Sequence, residues 1–569
     1  MRLIGTTAIF VLACLIVFLT HARRKTAQPQ LSEAAHTGVC VGAFACGCAA
    51  RLLFLTSLPA GISAEEALLG VQAKALWQTG GFLFSGTLST ALEQWAGNAG
   101  SILLAVITAP FVGLLGMTAL SVRLPLALLS CAGMAAAYPL GRALGGRRAG
   151  RWCLVIFALC PYFVLSARVA MGVQAAICLL PIALALLCCG VRRSGLFYAG
   201  SAVLALLAYA QDLYMLISPV AIVVCAVIAA LYGLKKRHAL GAAALGLAIC
   251  LPAALSCAGS MAGTAAQTEL FGLITLSGAP RFEPGNSIFA ALLQQGNRGA
   301  YLLSKMWAIL EGGVFQEMTH SSIARAMYAP EYLMVLYNLS LPLMLVGGFA
   351  MADRRVRGLR AARENRPGRA LVIALSVWTY IVLVVFARED VMSEAGTSTY
   401  FDFTALFVFT ALLMAAGLCS VERRSVRGGA AMLLLMAASF FLLCVHLFGG
   451  SFAGNATMYL RGVTEASRAA AQSQRETGAA VNISCPPYQF TNAQEGTQML
   501  YLFGADLDTQ EAIAGRDTAY RTFDPYAGEA DDAQIYILCC NDEHVFPAER
   551  FDRRQYGDYV LLTPKETAR

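Results

Sequence analysis

Two adjacent carboxylates, Glu65 and Glu66, are the residues of this 569-residue chain that could best carry out acid–base chemistry. They follow an apolar segment long enough to cross a bilayer and the short stretch Leu58-Pro-Ala-Gly-Ile-Ser-Ala. A carboxyl group partly buried beside a membrane can have a raised pKa and can accept a proton from a hydroxyl group. A structural alternative is equally open. An acidic pair in the first turn of an interfacial helix beginning near Ser63 is favoured by the helix dipole.

Three further polar residues lie at or near the predicted outer ends of apolar segments. Arg168 closes one such segment and could pair with a phosphate group, or it could be a snorkelling interface residue. Asp212 follows Gln211 on the next tight outer turn and could face the same cavity, although most aspartates in such turns only form the turn. Arg281 lies in a long loop, where nothing in its spacing is specific.

Composition assigns most of the chain to the membrane. It is 58% hydrophobic and only 13% charged, against about 25% charged residues in a soluble protein. The net charge of +8 does not indicate a nucleic-acid partner, because the basic residues form short clusters between apolar segments. Most of the 18 cysteines lie in apolar segments as small packing residues. Only Cys485, Cys539 and Cys540 fall in a polar region, so at most one disulfide is expected there.

Apolar segments of about 16 to 23 residues recur along the chain, close to the length that crosses a bilayer. We predict spans at residues 3–20, 36–57, 121–144, 152–167, 173–190, 196–211, 214–233, 239–258, 331–351, 370–387, 403–419 and 429–449. The first could instead be a signal peptide cleaved near Ala22, but the basic cluster that follows it opposes export.

The basic residues set the orientation, because short positive loops belong on the cytoplasmic side. With twelve spans and the N-terminus outside, every basic cluster between spans falls inside. These clusters are Arg23 to Lys25, Arg147 to Arg151, Arg192-Arg193, Lys235 to Arg237, Arg354 to Arg369 and Arg423 to Arg427. A further span at 101–117 would reverse this arrangement for all later clusters. We therefore predict that 101–117 is an interfacial helix bent near Pro110.

This topology divides the chain into three parts. Residues 1–35 form an extra transmembrane helix and a cytoplasmic loop, and residues 36–450 form the main membrane domain, with outer loops at 58–120 and 259–330. Residues 451–569 form a small extracytoplasmic α/β domain, with an amphipathic helix at Thr457–Thr477 and buried strands near 534–539 and 558–562. No zinc-type cysteine and histidine spacing, nucleotide-binding glycine loop or hydrolase elbow occurs in the sequence.

Four motifs in order resemble the GT-C membrane glycosyltransferases of the protein O-mannosyltransferase and aminoarabinose-transferase type. They are Arg51-Leu-Leu-Phe-Leu followed by Pro59 to Glu66; Thr79-Gly80 with Trp95 and the segment 109–116; Ser121-Val-Arg-Leu-Pro125; and Cys160 to Arg168. The resemblance extends over roughly residues 36 to 190. Together with the twelve spans predicted from hydropathy, it predicts an all-α polytopic fold of the GT-C type, and it implies interfacial helices in the first outer loop.

The resemblance also implies a reaction in which a sugar leaves a polyprenyl-phosphate carrier for an acceptor on the outer face of the plasma membrane. By position, Glu65 would act as the family's aspartate, Glu66 as its neighbouring glutamate, and Arg168 as the arginine that contacts the carrier phosphate. The acceptor could be a lipid, a glycan or a protein, and membrane lipid is a further partner. No cofactor is certain, and a divalent cation stays an open alternative.

The chain departs from the family in two places. The acidic pair is Glu-Glu, so the expected base is one methylene longer than usual. The stretch Val169 to Gln174 lacks the acid that often follows the Ser-Arg turn. Two other functions therefore stay open: a non-catalytic, degenerate protein with the GT-C fold, and a transporter or flippase of lipid-linked sugars. A transporter would usually carry ionisable residues in mid-span, which this chain almost lacks.

Overall fold

A computed structural model of the chain defines the fold. The residues described are 32–81, 101–211, 213–261, 268–270, 274–276, 288–309, 343–344, 347–348, 366–386, 406–449, 461–484, 493–516, 518–525, 531–539 and 550–565. Outside them lie the predicted first span, the arginines from Arg354 to Arg363, and the single residues Asp212, Arg281, Cys485 and Cys540.

Apolar helices make up the first part of the described chain. They are α1 (Glu33–Leu52), α2 (Ala64–Thr79), α3 (Ile102–Leu115), α4 (Ala119–Gly145), α5 (Arg147–Leu159), α6 (Pro161–Leu165), α7 (Gly172–Gly190), α8 (Ser194–Leu206), α9 (Leu213–Leu231) and α10 (Lys236–Met261). Short 3₁₀ turns extend α6 through Ser166–Arg168 and α8 through Leu207–Tyr209.

The central part adds a short hairpin and five helices. These are β1 (Thr268–Leu270), antiparallel to β2 (Ile274–Leu276), then α11 (Ile288–Gln294), α12 (Arg298–Ala308), α13 (Arg366–Phe386), α14 (Phe407–Arg424) and α15 (Val426–Phe448). Within the described ranges six helices are long and apolar enough to cross a membrane, or seven if α5 and α6 form one bent span. The chain thus has the character of a multi-pass membrane protein.

Most of the predicted spans coincide with these helices. Ten of the twelve overlap α1, α4, the α5–α6 pair, α7, α8, α9, α10, α13, α14 and α15. The span at 3–20 lies outside the described residues, and only four residues of the span at 331–351 are described. The total of twelve stays a prediction.

Two predicted spans need correction. The span at 36–57 is helical only to Leu52, because the carbonyl groups that follow are turned toward buried arginines instead of continuing the helix. The span at 152–167 is broken, since α5 ends at Leu159 and the chain bends by 59° before α6. Pro161 opens α6, as expected for a residue that lacks a backbone donor and fits the first turn of a helix.

The segment 101–117 folds as α3, a helix of 14 residues with Pro110 inside it. At 1.5 Å per residue its length is about 21 Å, short of the roughly 30 Å hydrocarbon core. It packs closely on α2, where a Cβ at Gly113 would come within 2.2 Å of the Trp77 ring. Its length agrees with the interfacial placement, and its angle to the membrane stays a prediction.

The C-terminal region contains an α/β unit, as predicted. It consists of α16 (Val463–Thr477), β3 (Val481–Ser484), α17 (Ala493–Ala505), α18 (Thr509–Ala514), β4 (Tyr520–Phe523), β5 (Ile535–Cys539), β6 (Phe551–Tyr556) and β7 (Tyr559–Pro564). The sheet order is β4-β3-β5-β7-β6, with β3 parallel to β4 and β5, and with β7 antiparallel to β5 and β6. The strands predicted near 534–539 and 558–562 correspond to β5 and β7.

The α/β unit packs directly against α2, the helix that begins with the acidic pair. A Cβ at Gly70 would come within 2.6 Å of the Phe503 ring, so α17 and α2 are in close contact. Gln78 accepts hydrogen bonds from the backbone and hydroxyl of Thr509 through Oε1. Lys74 forms an ion pair with Asp506. The domain boundaries at residues 35 and 450 stay predictions.

Candidate functional site

The acidic pair lies in the first turn of α2, where it has two separate environments. Ser63 is the N-cap, and its hydroxyl accepts a hydrogen bond from the Glu66 backbone at 3.2 Å. The Glu66 carboxylate accepts one in return from the Ser63 backbone, also at 3.2 Å. This reciprocal capping box satisfies two donors that a helix start leaves free. Glu66 therefore has the structural role predicted as an alternative for the pair, that of an acidic group in the first turn of a helix.

Glu66 is further held by a fully buried arginine of α4. Arg123 donates from Nε to Oε1 and from Nη2 to Oε2, both at 2.8 Å, and neither side chain is exposed. The Ala170 backbone donates to Oε1 at 3.1 Å. Both Glu66 oxygens are thus engaged, and the pair ties α2 to α4 and to the turn after Arg168. Arg123 also donates to the carbonyl groups of Leu55, Pro59 and Gly61.

Arg168 is buried as well and donates to carbonyl groups of the same loop. Its Nη1 donates to Ala50 at 2.7 Å, and its Nη2 donates to the carbonyl groups of Leu53, Phe54 and Leu58. Phe54 has a φ of 56°, a left-handed conformation rare for a bulky residue. The side chain is 0% exposed, so it is not a snorkelling residue. Only Nε has no partner among the described residues.

Glu65 differs from Glu66, because one of its carboxylate oxygens is left without a partner in the described chain. Its side chain is partly buried, and Oε2 is shielded from solvent with no hydrogen-bond partner in the described part of the chain. Burial raises the pKa of Glu65 to about 7; the nearby Glu66 carboxylate adds to the rise, while hydrogen bonds from the backbone and from Ser63 oppose it. A carboxyl group that titrates near neutral pH and has a free oxygen is suited to accept a proton.

The structure brings Glu65, Glu66 and Arg168 to one region, since the 53–62 loop contacts both arginines and α2 follows it. Asp212 and Arg281, the two predicted cavity residues, lie outside the described residues. Among the described residues no group of three or more histidine, cysteine, aspartate or glutamate side chains could hold a metal ion. A contact between Arg168 and a donor phosphate stays a prediction.

Sequence reasoning missed the role of Arg123. It lies in Ser121-Val-Arg-Leu-Pro125, which we used only as a motif of the resemblance. A signal was available, because an arginine near the start of an apolar span needs a partner, and a buried carboxylate is the strongest one. It also missed Gln174, which counted only as the absence of an acid. In the structure its amide is buried without a partner among the described residues.

Comparisons with known proteins found similar solved structures only. No family model and no curated protein matches it. The archaeal oligosaccharyltransferase AglB from Archaeoglobus fulgidus, in complex with an inhibitory peptide and a dolichol-phosphate, is similar with a TM-score of 0.48 and 10% identity over 84% of this chain. This chain covers 64% of AglB, which is less than two thirds of its length.

Two further structures are similar over most of this chain. ArnT from Cupriavidus metallidurans, bound to undecaprenyl phosphate, has a TM-score of 0.44 and 13% identity, over 93% of this chain and 99% of its own. The arabinofuranosyltransferase AftD from Mycobacteria has a TM-score of 0.45 and 14% identity, over 95% of this chain and 42% of its own. Glycosyltransferases thus occur among the similar structures. The motifs of this chain resemble those of the same class. With identities and scores this low, the activity of the chain rests on its own residues.

Proposed function

We propose that the chain is a membrane glycosyltransferase that moves a sugar from a polyprenyl-phosphate carrier to an acceptor hydroxyl on the extracytoplasmic face. One observation carries the proposal. Of two adjacent carboxylates, Glu66 is fully engaged by protein groups, whereas Glu65 keeps a buried oxygen without a partner in the described chain and has a pKa of about 7. A purely structural pair would leave neither group free.

The proposed reaction uses Glu65 as a general base. The acceptor hydroxyl gives its proton to Glu65 Oε2 as its oxygen bonds to the anomeric carbon. The bond from that carbon to the phosphate oxygen breaks, and the carrier phosphate leaves with the electron pair. Glu66 and Arg123 contribute by fixing the start of α2, so that Glu65 is held in place without rearrangement.

The donor phosphate needs a cation. Arg168 stays the proposed contact. We propose Nε as the donor to the phosphate, because it has no partner in the described chain, whereas Nη1 and Nη2 already donate to four carbonyl groups. Asp212 and Arg281 stay proposed as residues that line the same cavity, and a divalent cation stays an open alternative. The acceptor is a lipid, a glycan or a protein.

The proposal requires Glu66 and the C-terminal α/β unit outside the cell and residues Arg354 to Arg369 inside it. The one-sided distribution of the basic clusters supports this orientation. We expect reporter fusions that are active only outside the cytoplasm to work after residue 569 and to fail within 354–369. Labelling of a cysteine introduced at 354–369 by an impermeant reagent on intact cells would contradict the orientation.

Two alternatives give different results in one assay. Purified protein in liposomes, supplied with undecaprenyl- or dolichol-phosphate carrying a sugar, should release the bare carrier phosphate and form a glycosylated acceptor. A flippase would move the lipid-linked sugar across the bilayer with no cleavage, and a degenerate protein would do neither. Mass spectrometry of polyprenyl-linked sugars and surface glycans, in cells with and without the protein, identifies the sugar and the acceptor.

The pKa of Glu65 predicts how transfer depends on pH. Since a base must be unprotonated, kcat/KM should rise as the pH increases through about 7 and then level off. A carboxylate with an ordinary pKa near 4.5 would give a flat profile in this range. The measurement is a set of initial rates from pH 5.5 to 8.5 at constant ionic strength. A flat profile would show that Glu65 does not titrate in the active protein.

A further inference from the structure

The first turn of α7 contains a buried amide with unused hydrogen-bonding capacity. Gln174 is 1% exposed, and neither Oε1 nor Nε2 has a partner in the described part of the chain. Within that part it is the one residue with both side-chain polar atoms in this state. Buried polar groups are nearly always hydrogen-bonded, so such a group in a native protein needs an explanation.

A local structural role does not explain the amide. A glutamine at the third helical position often accepts a bond from the N-cap backbone in a capping box. Here the N-cap is Met171, which has no side-chain cap, and its backbone donates to the Val169 carbonyl at 2.9 Å instead. The Gln174 backbone also has a partner, the Met171 carbonyl at 3.1 Å. The side-chain amide of Gln174 therefore does not cap the start of α7.

The position of Gln174 links it to the acidic pair. Ala170 donates its backbone N–H to Glu66 Oε1, so the turn that leads into α7 lies against the start of α2. Gln174 is four positions after Ala170, which limits the separation of their Cα atoms to about 14 Å. Two polar groups without partners in the described chain, Glu65 Oε2 and the Gln174 amide, thus belong to the two segments that meet at the fully engaged Glu66–Arg123 pair.

We infer that Gln174 binds a hydroxyl group of a sugar substrate at the Glu65 site. An amide offers both a donor and an acceptor, as does a sugar hydroxyl, so one hydroxyl can satisfy both amide atoms. A neutral amide adds no charge and is a weaker ligand for a divalent cation than a carboxylate. Gln174 is thus a positioning residue for substrate. The inference rests on the proposed function for the identity of the ligand, and the sugar can belong to the donor or to the acceptor.

Gln174→Met tests this, because methionine has a similar volume and no amide. We expect affinity for the sugar-bearing ligand to fall about 3- to 10-fold, as for the loss of one neutral hydrogen bond. The melting temperature should stay unchanged or rise, since no protein hydrogen bond is lost. Titrations with undecaprenyl phosphate that carries a pentose or a hexose, with bare undecaprenyl phosphate, and with a free methyl glycoside separate the two sources. If the bound sugar belongs to the donor, the variant should lose affinity only for undecaprenyl phosphate that carries a sugar. If it belongs to the acceptor, the variant should lose affinity for the methyl glycoside.

Unchanged affinity for every sugar ligand would overturn the inference, and so would a fall in melting temperature of several degrees. Ser467→Ala is the matched control, because this hydroxyl in α16 is also buried without a partner in the described chain. Gln174→Glu adds a second readout, since a like charge near Glu65 should move the midpoint of the pH–rate profile upward. Binding is measured without turnover, so a wild type that binds the lipid-linked sugar but does not transfer it would reject the proposed function alone.

Discussion

Glu65→Gln is expected to lower sugar transfer about 100- to 10,000-fold, the usual contribution of general acid–base assistance. Glutamine keeps the size of the side chain but cannot accept the proton of the acceptor hydroxyl. Glu65 Oε2 has no protein partner in the described chain, and the amide oxygen of glutamine can still accept the hydrogen bonds from the backbone and from Ser63. The loss should therefore appear in kcat, with little change in KM and with an intact fold. Initial rates in the liposome assay measure it.

The pH dependence of stability gives a second test of the Glu65→Gln variant. The pKa of Glu65 is raised to about 7 from 4.5, so the folded state binds the proton more tightly than the unfolded state does. Stability linked to this group is fully present below pH 4.5 and is lost as the pH rises through about 7. Glu65→Gln should remove that pH dependence and the rise in kcat/KM near pH 7 together.

Two further variants separate chemistry from local structure. Glu65→Asp keeps a carboxylate on a shorter side chain, so it should retain more activity than Glu65→Gln does. Glu465→Gln is the matched control, because Glu465 is an exposed glutamate in the first turn of α16. It should leave transfer unchanged. Near-normal transfer by Glu65→Gln would reject Glu65 as the base.

The sequence allowed much of the helical framework to be predicted, because hydropathy and length alone define a segment that can lie in lipid. Ser63 and Glu66 were also readable as a helix start, since the spacing of a capping box is local. The positions where helices end or break were harder to predict. The end of α1 at Leu52 depends on Arg123 and Arg168. Their contacts with the chain near Leu52 span 68 to 118 residues of sequence and form only once the helices pack.

Arg168 shows the same limit for the site. An arginine at the outer end of a span is suited by type to a phosphate, yet its Nη atoms bind the carbonyl groups of the 50–58 segment. Glu65 and Glu66 are adjacent and identical in type, and only their positions in the family motif predicted different roles for them. Only the packing of Arg123 and Ala170 against one of them distinguishes the structural carboxylate from the free one.

Breaking the Glu66–Arg123 pair is expected to have the largest effect on stability. Glu66→Ala leaves the Arg123 guanidinium buried without its carboxylate, and removing one partner of a buried ion pair typically costs about 3–5 kcal/mol. The variant also loses half of the capping box and the bond from Ala170. Thermal unfolding in detergent should show a large fall in melting temperature, together with a low yield of folded protein.

The partly exposed pair between Lys74 and Asp506 is the matched control, since it joins α2 to the chain after α17 and its Asp506 side chain is 49% exposed. Lys74→Met should cost no more than about 1 kcal/mol, as surface pairs usually do. The double variant Glu66→Leu with Arg123→Met should recover part of the loss, because two apolar side chains leave no charge buried. Full recovery is not expected, since the carbonyl groups of Leu55, Pro59 and Gly61 lose their donor. A melting temperature of Glu66→Ala equal to that of Lys74→Met would show that the buried pair does not hold the start of α2, and the fixed placement of Glu65 would lose its physical basis.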